Sequence, residues 1–548
     1  MKASILAFLF LLICTTILAQ DTLSKVDFRT AEKFLDLTYT QPEVDSMYEN
    51  VRGSVREINK MHQFHLPNEV PMSMWQSPVL PGMFFNKVQS PVKWGIPNNV
   101  SLPKNKNDLA FFSILELASL ILNRKISSVD LTTFFLDRLK KYGDTLQCVI
   151  SLTPQIAMQE AQQADREIKQ GKYRGPLHGI PYGLKDLFAV KGTKTTWGAA
   201  PFKDQVVDVD AYVYTKLKEA GAVLCAKFTL GALALGDYWY GGRTKNPWNL
   251  KFGSSGSSAG STSATVAGLI PFAIGTETLG SIVSPSSTCG ATGLRPTFGS
   301  ISRSGAMTLS WSLDKAGPIC RSAADAAVVF NYLHGTDLKD GSAVNMPFNY
   351  TGKANFSKFR IAYAKNYFKK NDTLGNELAV LNKFKELGAQ LIPVDFPDSG
   401  VYNFNMVSFI IGAECAAAFD EFTRSNQDDL MTRQNRGDWP NTFRSSRFIP
   451  AVDYINANRH RYLLMQKVNE LMDKYDVVIC PTFAGHQLSI TNLTGHPVVC
   501  LPTGFNKREL PTSITLVGKL YGEATLLSVA KAFQNATNWN SVHPALFK

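Results

Sequence analysis

Residues 253–265 read GSSGSSAGSTSAT, a stretch with six serines and no charged residue. Tracts of Gly and Ser usually form flexible linkers, so composition alone favours a solvated spacer between two domains. A spacer should separate regions of different composition. Here the turn-like NPWNLKF precedes the stretch, and TVAGLIPFAIGTETLGS follows it with no fall in hydrophobicity. These flanks favour a segment inside a folded domain over a linker.

A second interpretation makes part of this stretch the sharp turn that carries the nucleophile of α/β-hydrolases. Residues 256–260, GSSAG, fit the pattern G-x-S-x-G with Ser258 as the nucleophile. That turn needs a strand directly before it and a helix directly after it. The preceding residues, WNLKFGSS, lack the β-branched side chains of a central strand. The pattern is therefore a weak indication that Ser258 is a nucleophile.

The chain around the stretch alternates between helical patterns and short apolar runs. Apolar residues at three- to four-residue spacing predict two helices over 113–142, with Ser128 as an N-cap, and a third helix that ends at Gly171. A helical pattern over 211–221 leads into an apolar strand at 222–227. The same order of helix and apolar strand recurs near the C-terminus. This repetition predicts an α/β fold built on a sheet.

Composition restricts the classes of partner. The chain is 45% hydrophobic and 19% charged, so it can bury a large core. Its net charge of +12 (57 Lys and Arg against 45 Asp and Glu) would attract anionic surfaces. The basic residues are nevertheless scattered, with no arginine-rich run and no basic stripe interleaved with aromatic residues. The sequence therefore predicts no nucleic-acid partner.

The first residues, MKASILAFLFLLICTTILAQD, have the layout of an export signal. One early lysine is followed by an apolar run from Ile5 to Leu18 and then by Ala19. The run is too short to span a bilayer comfortably. We therefore predict a signal peptide over 1–19 and an exported protein, periplasmic or secreted, without a stable membrane span after cleavage. An uncleaved anchor is the alternative.

Residues 20–106 are interpreted as a helical N-terminal extension, with a helix from Asp45 to Gln63, before a main domain over 107–548. Beyond the predicted signal peptide the chain has seven cysteines. Their odd number, wide spacing and apolar neighbours predict buried thiols and no disulfide scaffold. The absence of CxxC and HExxH motifs leaves a metal site unsupported.

Separated motifs give the serine stretch a third interpretation. In chain order they are GIPYGLKD (179–186), SGSSAGSTSA (255–264), GTETLGSIVSP (275–285), GLRPTFGSISRSG (293–305) and WSLDKAGPI (311–319). Together they resemble the amidase signature family of serine hydrolases, and the similarity extends over about residues 107–545. The resemblance implies an α/β fold, a single large domain with a central mixed β-sheet covered by helices.

The resemblance also implies an activity, the hydrolysis of a carboxylic amide C–N bond through a serine acyl-enzyme. Carried over by motif, Ser281 is the nucleophile, Ser257 is a bridging serine that relays its proton, and Lys185 is the base. Ser258 becomes a supporting residue. No cofactor and no metal are implied, and the implied partner is a small-molecule or peptide amide. The particular amide and the oligomeric state stay open.

These residue types suit the proposed chemistry. Lysine acts as a base only when neutral, so its pKa near 10.4 must fall, and burial lowers it. Lys185 stands among apolar and small residues in IPYGLKDLFAV. Asp186 is expected to point elsewhere, because adjacent residues of an extended chain face opposite sides. The implied oxyanion hole consists of backbone N–H groups, those of Thr278, Leu279 and Gly280 together with that of Ser281.

Four positions depart from the family pattern. Ala259 and Leu279 stand at family glycines, Glu277 stands at an aspartate, and Val283 stands where many members carry arginine. The last two changes lie beside the implied nucleophile and together predict the loss of a supporting salt bridge. His178, the histidine nearest the lysine motif, is expected to be structural and hydrogen-bonded, because the Ser-Ser-Lys scheme gives it no role.

Two other functions stay open. The glutaminase subunit of the tRNA-dependent amidotransferases that act on glutamyl-tRNA(Gln) and aspartyl-tRNA(Asn) shares this fold and motif set. That protein works in the cytosol beside a partner and tRNA, so the predicted signal peptide argues against it. A catalytically inactive binding protein on the same scaffold is disfavoured, because Lys185, Ser257 and Ser281 are all retained.

Overall fold

The computed structural model of this protein describes residues 23–35, 37–61, 63, 67–68, 70, 76–368, 376–398 and 406–548. They belong to two compact units, Met1–Leu66 and Pro67–Lys548. The first unit contains the helices α1 (Lys25–Leu35) and α2 (Gln41–Met61), and α2 covers most of the helix expected from residue 45 to 63. The predicted signal peptide lies outside the described residues. The extension over 20–106 and the domain start at 107 stay predictions.

The second unit is built on a sheet that has eleven strands in the described chain, in the order β1-β3-β2-β6-β8-β7-β12-β13-β11-β9-β10. The strands are β1 (Val149–Leu152), β2 (Pro181–Lys185), β3 (Val223–Phe228), β6 (Phe272–Glu277), β7 (Thr292–Arg295), β8 (Lys315–Cys320), β9 (Ile361–Ala364), β10 (Leu391–Val394), β11 (Val477–Pro481), β12 (Val498–Phe505) and β13 (Pro511–Gly518). A separate hairpin pairs β4 (Tyr238–Trp239) with β5 (Gly242–Arg243).

Strand direction changes across the sheet. Strand β2 lies parallel to both β3 and β6, and β9 lies parallel to both β10 and β11. The strands between β6 and β11 pair antiparallel, as does β1 with β3. The parallel strands β2 and β3 are buried along their whole length, as expected for strands with helices on both faces. The predicted α/β fold with a central mixed sheet covered by helices is confirmed.

Helices cover this sheet. They are α3 (Ile114–Leu122), α4 (Ser128–Leu146), α5 (Pro154–Lys169), α6 (Tyr212–Glu219), α7 (Ala259–Val266), α8 (Val283–Cys289), α9 (Ala323–Leu333), α10 (Asn376–Glu386), α11 (Met406–Ala418), α12 (Asp420–Arg424), α13 (Trp439–Ser446), α14 (Ala451–Met472), α15 (Gln487–Thr494) and α16 (Glu523–Thr537). Short 3-10 helices occupy Lys106–Phe111, Ala200–Phe202, Ala232–Ala234, Gln427–Leu430, Trp539–Ser541 and Ala545–Phe547. Within the described ranges no helix is long and apolar enough to cross a membrane.

One predicted cap is wrong by a single residue. The N-cap of α4 is Ser127, whose side chain accepts a hydrogen bond from the backbone N–H of Asp130. Ser128 is instead buried, and its hydroxyl donates to the carbonyl oxygen of Gly179 at 2.9 Å. Two adjacent serines are equivalent as caps in the sequence, and tertiary packing decides between them. The prediction of buried, unpaired thiols is confirmed for the seven cysteines from Cys148 to Cys500.

Candidate active site

Strand topology brings the predicted base and the serine segments to one edge of the sheet. Lys185 is the last residue of β2, and Glu277 is the last residue of the neighbouring parallel strand β6. Because the two strands are parallel, their C-terminal ends lie at the same edge. Ser257 and Ser258 stand just before α7, and Ser281 stands just before α8.

Lys185 lies within hydrogen-bonding distance of three hydroxyl groups. Its Nζ is 2.8 Å from Ser257 Oγ, 3.2 Å from Ser258 Oγ and 2.8 Å from Thr276 Oγ1. The side chain is fully buried, and burial lowers its pKa to about 7, although the carboxylates of Asp314 and Glu277 oppose this shift. A neutral amine with this pKa has a lone pair that can take a proton from Ser257 near neutral pH.

Asp186 turns away from Lys185, as predicted. Its Oδ1 lies 2.8 Å from the Nζ of Lys227, which is buried on β3. Its Oδ2 accepts hydrogen bonds from the backbone N–H and the hydroxyl of Thr196, at 2.8 and 2.6 Å. The charge of Asp186 is therefore compensated by Lys227. Without a carboxylate ion pair of its own, Lys185 is free to be neutral.

Ser258 links the serine segment to Thr276 and Ser281 through hydrogen bonds. Its Oγ accepts a hydrogen bond from the backbone N–H of Thr276 and donates to the carbonyl oxygen of the same residue, both at 3.1 Å. Its backbone N–H donates to the carbonyl oxygen of Ser281, also at 3.1 Å. Residues 246–258 are all described and contain no named strand, so the strand required by the hydrolase turn is missing. These contacts suit a supporting residue.

Gly256 precedes Ser257 through a cis peptide bond. A Cβ atom at Gly256 would lie 1.8 Å from the carbonyl oxygen of Gly236, so a larger residue cannot occupy this position without moving the backbone. The close approach of the two backbones thus requires glycine here. Most of the Gly and Ser residues of this stretch are buried, unlike those of a linker.

The implied oxyanion segment, residues 278–281, forms a turn between β6 and α8. Gly280 has a φ of 84°, which lies in the left-handed region that favours glycine. No described residue accepts a hydrogen bond from the backbone N–H groups of 278–281. The Thr278 hydroxyl donates to Asp314 Oδ1 at 2.6 Å, and Ser281 is 8% exposed. The Thr278 side chain thus anchors the segment, while the N–H groups of residues 278–281 are left to donate to another acceptor.

The predicted loss of a salt bridge beside the nucleophile is wrong. Glu277 Oε1 lies 2.9 Å from Arg295 Nη1 and accepts a hydrogen bond from Asn492 Nδ2 at 2.8 Å. Its Oε2 accepts from the backbone N–H groups of Ile282 and Val283, at 2.8 and 2.9 Å. Burial alone would raise the pKa of Glu277, but Arg295 and these donors hold it at about 2. The positive charge of this salt bridge is supplied by Arg295, in the segment GLRPT, and not by a residue at position 283.

Sequence reasoning missed Thr276, Asp314, Arg295 and Asn492 as parts of the site. Thr276, Asp314 and Arg295 lie inside the quoted motifs, so their position in these motifs could have indicated that they belong to the site. Asn492 is 215 residues from its partner Glu277 and has no motif of its own. Pairs this far apart leave no local pattern in a single sequence.

His178 has the predicted structural role. It is fully buried, and its Nδ1 accepts a hydrogen bond from the backbone N–H of Arg174 at 3.1 Å. Burial lowers its pKa to about 4, so the ring is neutral. Among the residues that the structure describes, no three His, Cys, Asp or Glu side chains are grouped to hold a metal ion.

Comparison with known proteins places these observations in a family. The model of the Amidase family matches residues 130–491. A glutamyl-tRNA(Gln) amidotransferase subunit of Acinetobacter baumannii is 32% identical, over 80% of this chain and 99% of that relative. The subunit of the same name from Legionella pneumophila is 31% identical, over 79% and 99%. The native peptide amidase of Stenotrophomonas maltophilia has a TM-score of 0.72 at 28% identity, over 79% of this chain and 98% of that structure.

We expect Glu277→Gln to destabilise the protein by about 3–5 kcal/mol, because the buried Arg295 guanidinium would lose the charge that compensates it. The free energy of unfolding in urea measures this loss. The matched control is Glu386→Gln, which removes a mostly exposed carboxylate paired with Lys383 and should cost at most about 1 kcal/mol. Equal losses in the two variants would contradict a stabilising role for the Glu277 network.

Proposed function

The chain belongs to the amidase family, and we propose that it hydrolyses a carboxylic amide C–N bond through an acyl-enzyme on Ser281. One observation carries the proposal. Lys185 is fully buried, its Nζ lies 2.8 Å from Ser257 Oγ, and no carboxylate is paired with it among the described residues. A lysine in this setting serves as a base rather than as a fixed charge.

The proposed reaction starts with two proton transfers. Ser281 gives its hydroxyl proton to Ser257 as it attacks the amide carbonyl carbon, and Ser257 passes its own proton to the neutral amine of Lys185. The resulting oxyanion accepts hydrogen bonds from the backbone N–H groups of residues 278–280. These groups act while the C–O bond to Ser281 forms and the carbonyl π-bond opens.

Collapse of this intermediate breaks the C–N bond. The proton held by Lys185 returns through Ser257 to the leaving nitrogen, which departs as ammonia or an amine. A water molecule then attacks the acyl-enzyme and gives its proton to the same relay. The carboxylic acid leaves as Ser281 recovers its proton. The relay ends as it began, which is what a catalyst requires.

A second candidate function is that of a glutaminase component of a tRNA-dependent amidotransferase. The observation that favours it is the 32% identity to the glutamyl-tRNA(Gln) amidotransferase subunit of Acinetobacter baumannii, over nearly the whole of that relative. We rank an exported amidase above it because residues 1–19 have the layout of a signal peptide. Both candidates use the same relay, so localisation and substrate distinguish them.

We expect a fluorophosphonate probe to label the protein on Ser281, because the relay raises the nucleophilicity of that hydroxyl. Mass spectrometry of the labelled peptides identifies the site. Ser281→Ala should abolish the label. Ser258→Ala is the matched control and should keep it on Ser281. Labelling that survives Ser281→Ala but vanishes in Ser258→Ala would favour the G-x-S-x-G turn instead.

The pH dependence of kcat/KM tests the base. Because Lys185 with a pKa of about 7 must be neutral to accept a proton, kcat/KM should rise as pH increases through about 7 and then level off. Lys185→Ala should lower kcat/KM by about 10²–10⁴-fold and remove this rise. Lys365→Ala changes a half-exposed lysine and should leave the profile intact. An unchanged profile in Lys185→Ala would exclude this base.

Fractionation of the source cells tests the ranking of the two functions. We expect the protein in the exported fraction with a mature N-terminus at Gln20, because the predicted cleavage follows Ala19. N-terminal sequencing and a cytosolic marker enzyme provide the measurement and the control. Recovery only in the cytosol, with the full N-terminus and a bound partner, would reverse the ranking.

A further inference from the structure

We propose that the acyl group of the substrate is compact, uncharged and apolar, and that it binds in a cavity of about 290 Å³ next to Lys185. This proposal rests on the proposed amide hydrolysis and names the substrate class for it. We call this space the acyl cavity. It is defined by twenty lining residues that come mainly from the segments following β2 and β6 and from the loop before β8.

The acyl cavity adjoins both halves of the proposed chemistry. One lining residue, Thr276, has its hydroxyl 2.8 Å from Lys185 Nζ. Another, Thr278, is the first residue of the proposed oxyanion segment. A carbonyl group held between the base and this segment would therefore direct a substituent toward the cavity.

Apolar side chains form much of the cavity wall. Four of them are at least 94% buried and so form a fixed surface: Leu187, Phe188, Met307 and Leu309. Trp311 and Ala306 also line the space. Such a wall favours hydrocarbon over charge, because burial of an unpaired charge costs far more than burial of apolar surface gains. The volume is near the lower end for ligand pockets, which favours a compact group.

Two charged side chains that line the cavity, those of Arg303 and Asp314, already have hydrogen-bonding partners in the protein. Arg303 lies 2.7 Å from Asp340 and also donates to the carbonyl oxygen of Trp311 at 2.7 Å. Asp314 accepts hydrogen bonds from the Thr278 hydroxyl and from the backbone N–H groups of residues 309 and 310. Asp340 thus compensates the charge of Arg303, whereas Asp314 has no cationic partner but accepts hydrogen bonds on both carboxylate oxygens.

The other charged lining residues are one buried lysine and two exposed residues. Lys315 is buried and donates to the carbonyl oxygen of Leu313, and burial lowers its pKa well below the usual value, which disfavours a positive charge there. Asp210 and Lys339 are both exposed and have opposite signs. An acyl group with a carboxylate would thus find no buried cation free to pair with it, because Asp340 pairs with Arg303 and burial disfavours a positive charge on Lys315. Glutamine carries a carboxylate on its acyl side, so the cavity argues against glutamine as the preferred substrate.

A panel of primary amides tests the substrate class. We expect kcat/KM for ammonia release to be at least about 100-fold higher with phenylacetamide or isobutyramide than with glutamine or succinamate, because the latter pair must bury unpaired charge. A preference for glutamine or succinamate would overturn this inference and leave amide hydrolysis standing. Cleavage of none of these amides or of peptide amides would instead overturn the proposed function together with the inference.

Ala306→Leu tests the location, because the added methyl groups would occupy part of the acyl cavity. We expect kcat/KM for phenylacetamide to fall at least about 10-fold and that for acetamide to fall much less. Retained fluorophosphonate labelling of Ser281 shows that the variant is folded. Ala536→Leu, at an exposed position of α16, is the matched control and should change neither amide. Equal losses for both amides in Ala306→Leu would show that the acyl group binds elsewhere.

Discussion

The rest of the site depends on one constraint: the buried amine of Lys185 has hydroxyl groups, and no carboxylate, within hydrogen-bonding distance. Lys185 meets Ser257, Ser258 and Thr276, so little stabilises its charged form. Three carboxylates lie close in the chain or in space, and each is occupied elsewhere. Asp186 pairs with Lys227, Glu277 pairs with Arg295, and Asp314 accepts from Thr278 and from backbone N–H groups. The acidic groups thereby shape the site without holding the lysine charged.

Sheet topology explains how such distant residues meet. Strands β2 and β6 are parallel neighbours, so their last residues, Lys185 and Glu277, lie at the same edge of the sheet. Strand β8 runs antiparallel to β6 with Lys315 opposite Glu277, so the start of β8 lies at that same edge. Asp314 precedes β8 and Thr278 follows β6, which places them side by side. A change of strand direction at β8 thus supplies the acidic partner of the 278–281 turn.

Sequence patterns predicted the features that local spacing encodes. The alternation of helix, glycine and apolar strand predicted the α/β class, and the extended run through Lys185 predicted both its burial and the opposite direction of Asp186. Some residues that contact each other only in the folded structure were not predicted. Lys227 and Asn492 carry no local signal, and the lost salt bridge at position 283 was predicted from one motif although Arg295 in the next motif supplies the cation. The choice between the adjacent serines 127 and 128 likewise depended on packing, and the cap of α4 was predicted at the wrong one.

The large sequence separation between Glu277 and Asn492 has a consequence for biosynthesis. Glu277 fixes the start of α8 through the N–H groups of residues 282 and 283, and Asn492 on α15 completes its set of donors. During translation, the ribosome must add 215 residues after Glu277 before this amide exists. A nascent chain therefore contains Lys185, Ser257 and Ser281 for more than 200 residues of further synthesis before the donors to Glu277 are complete. The hydrogen-bonded start of α8 is therefore completed late, when nearly nine-tenths of the polypeptide has been made.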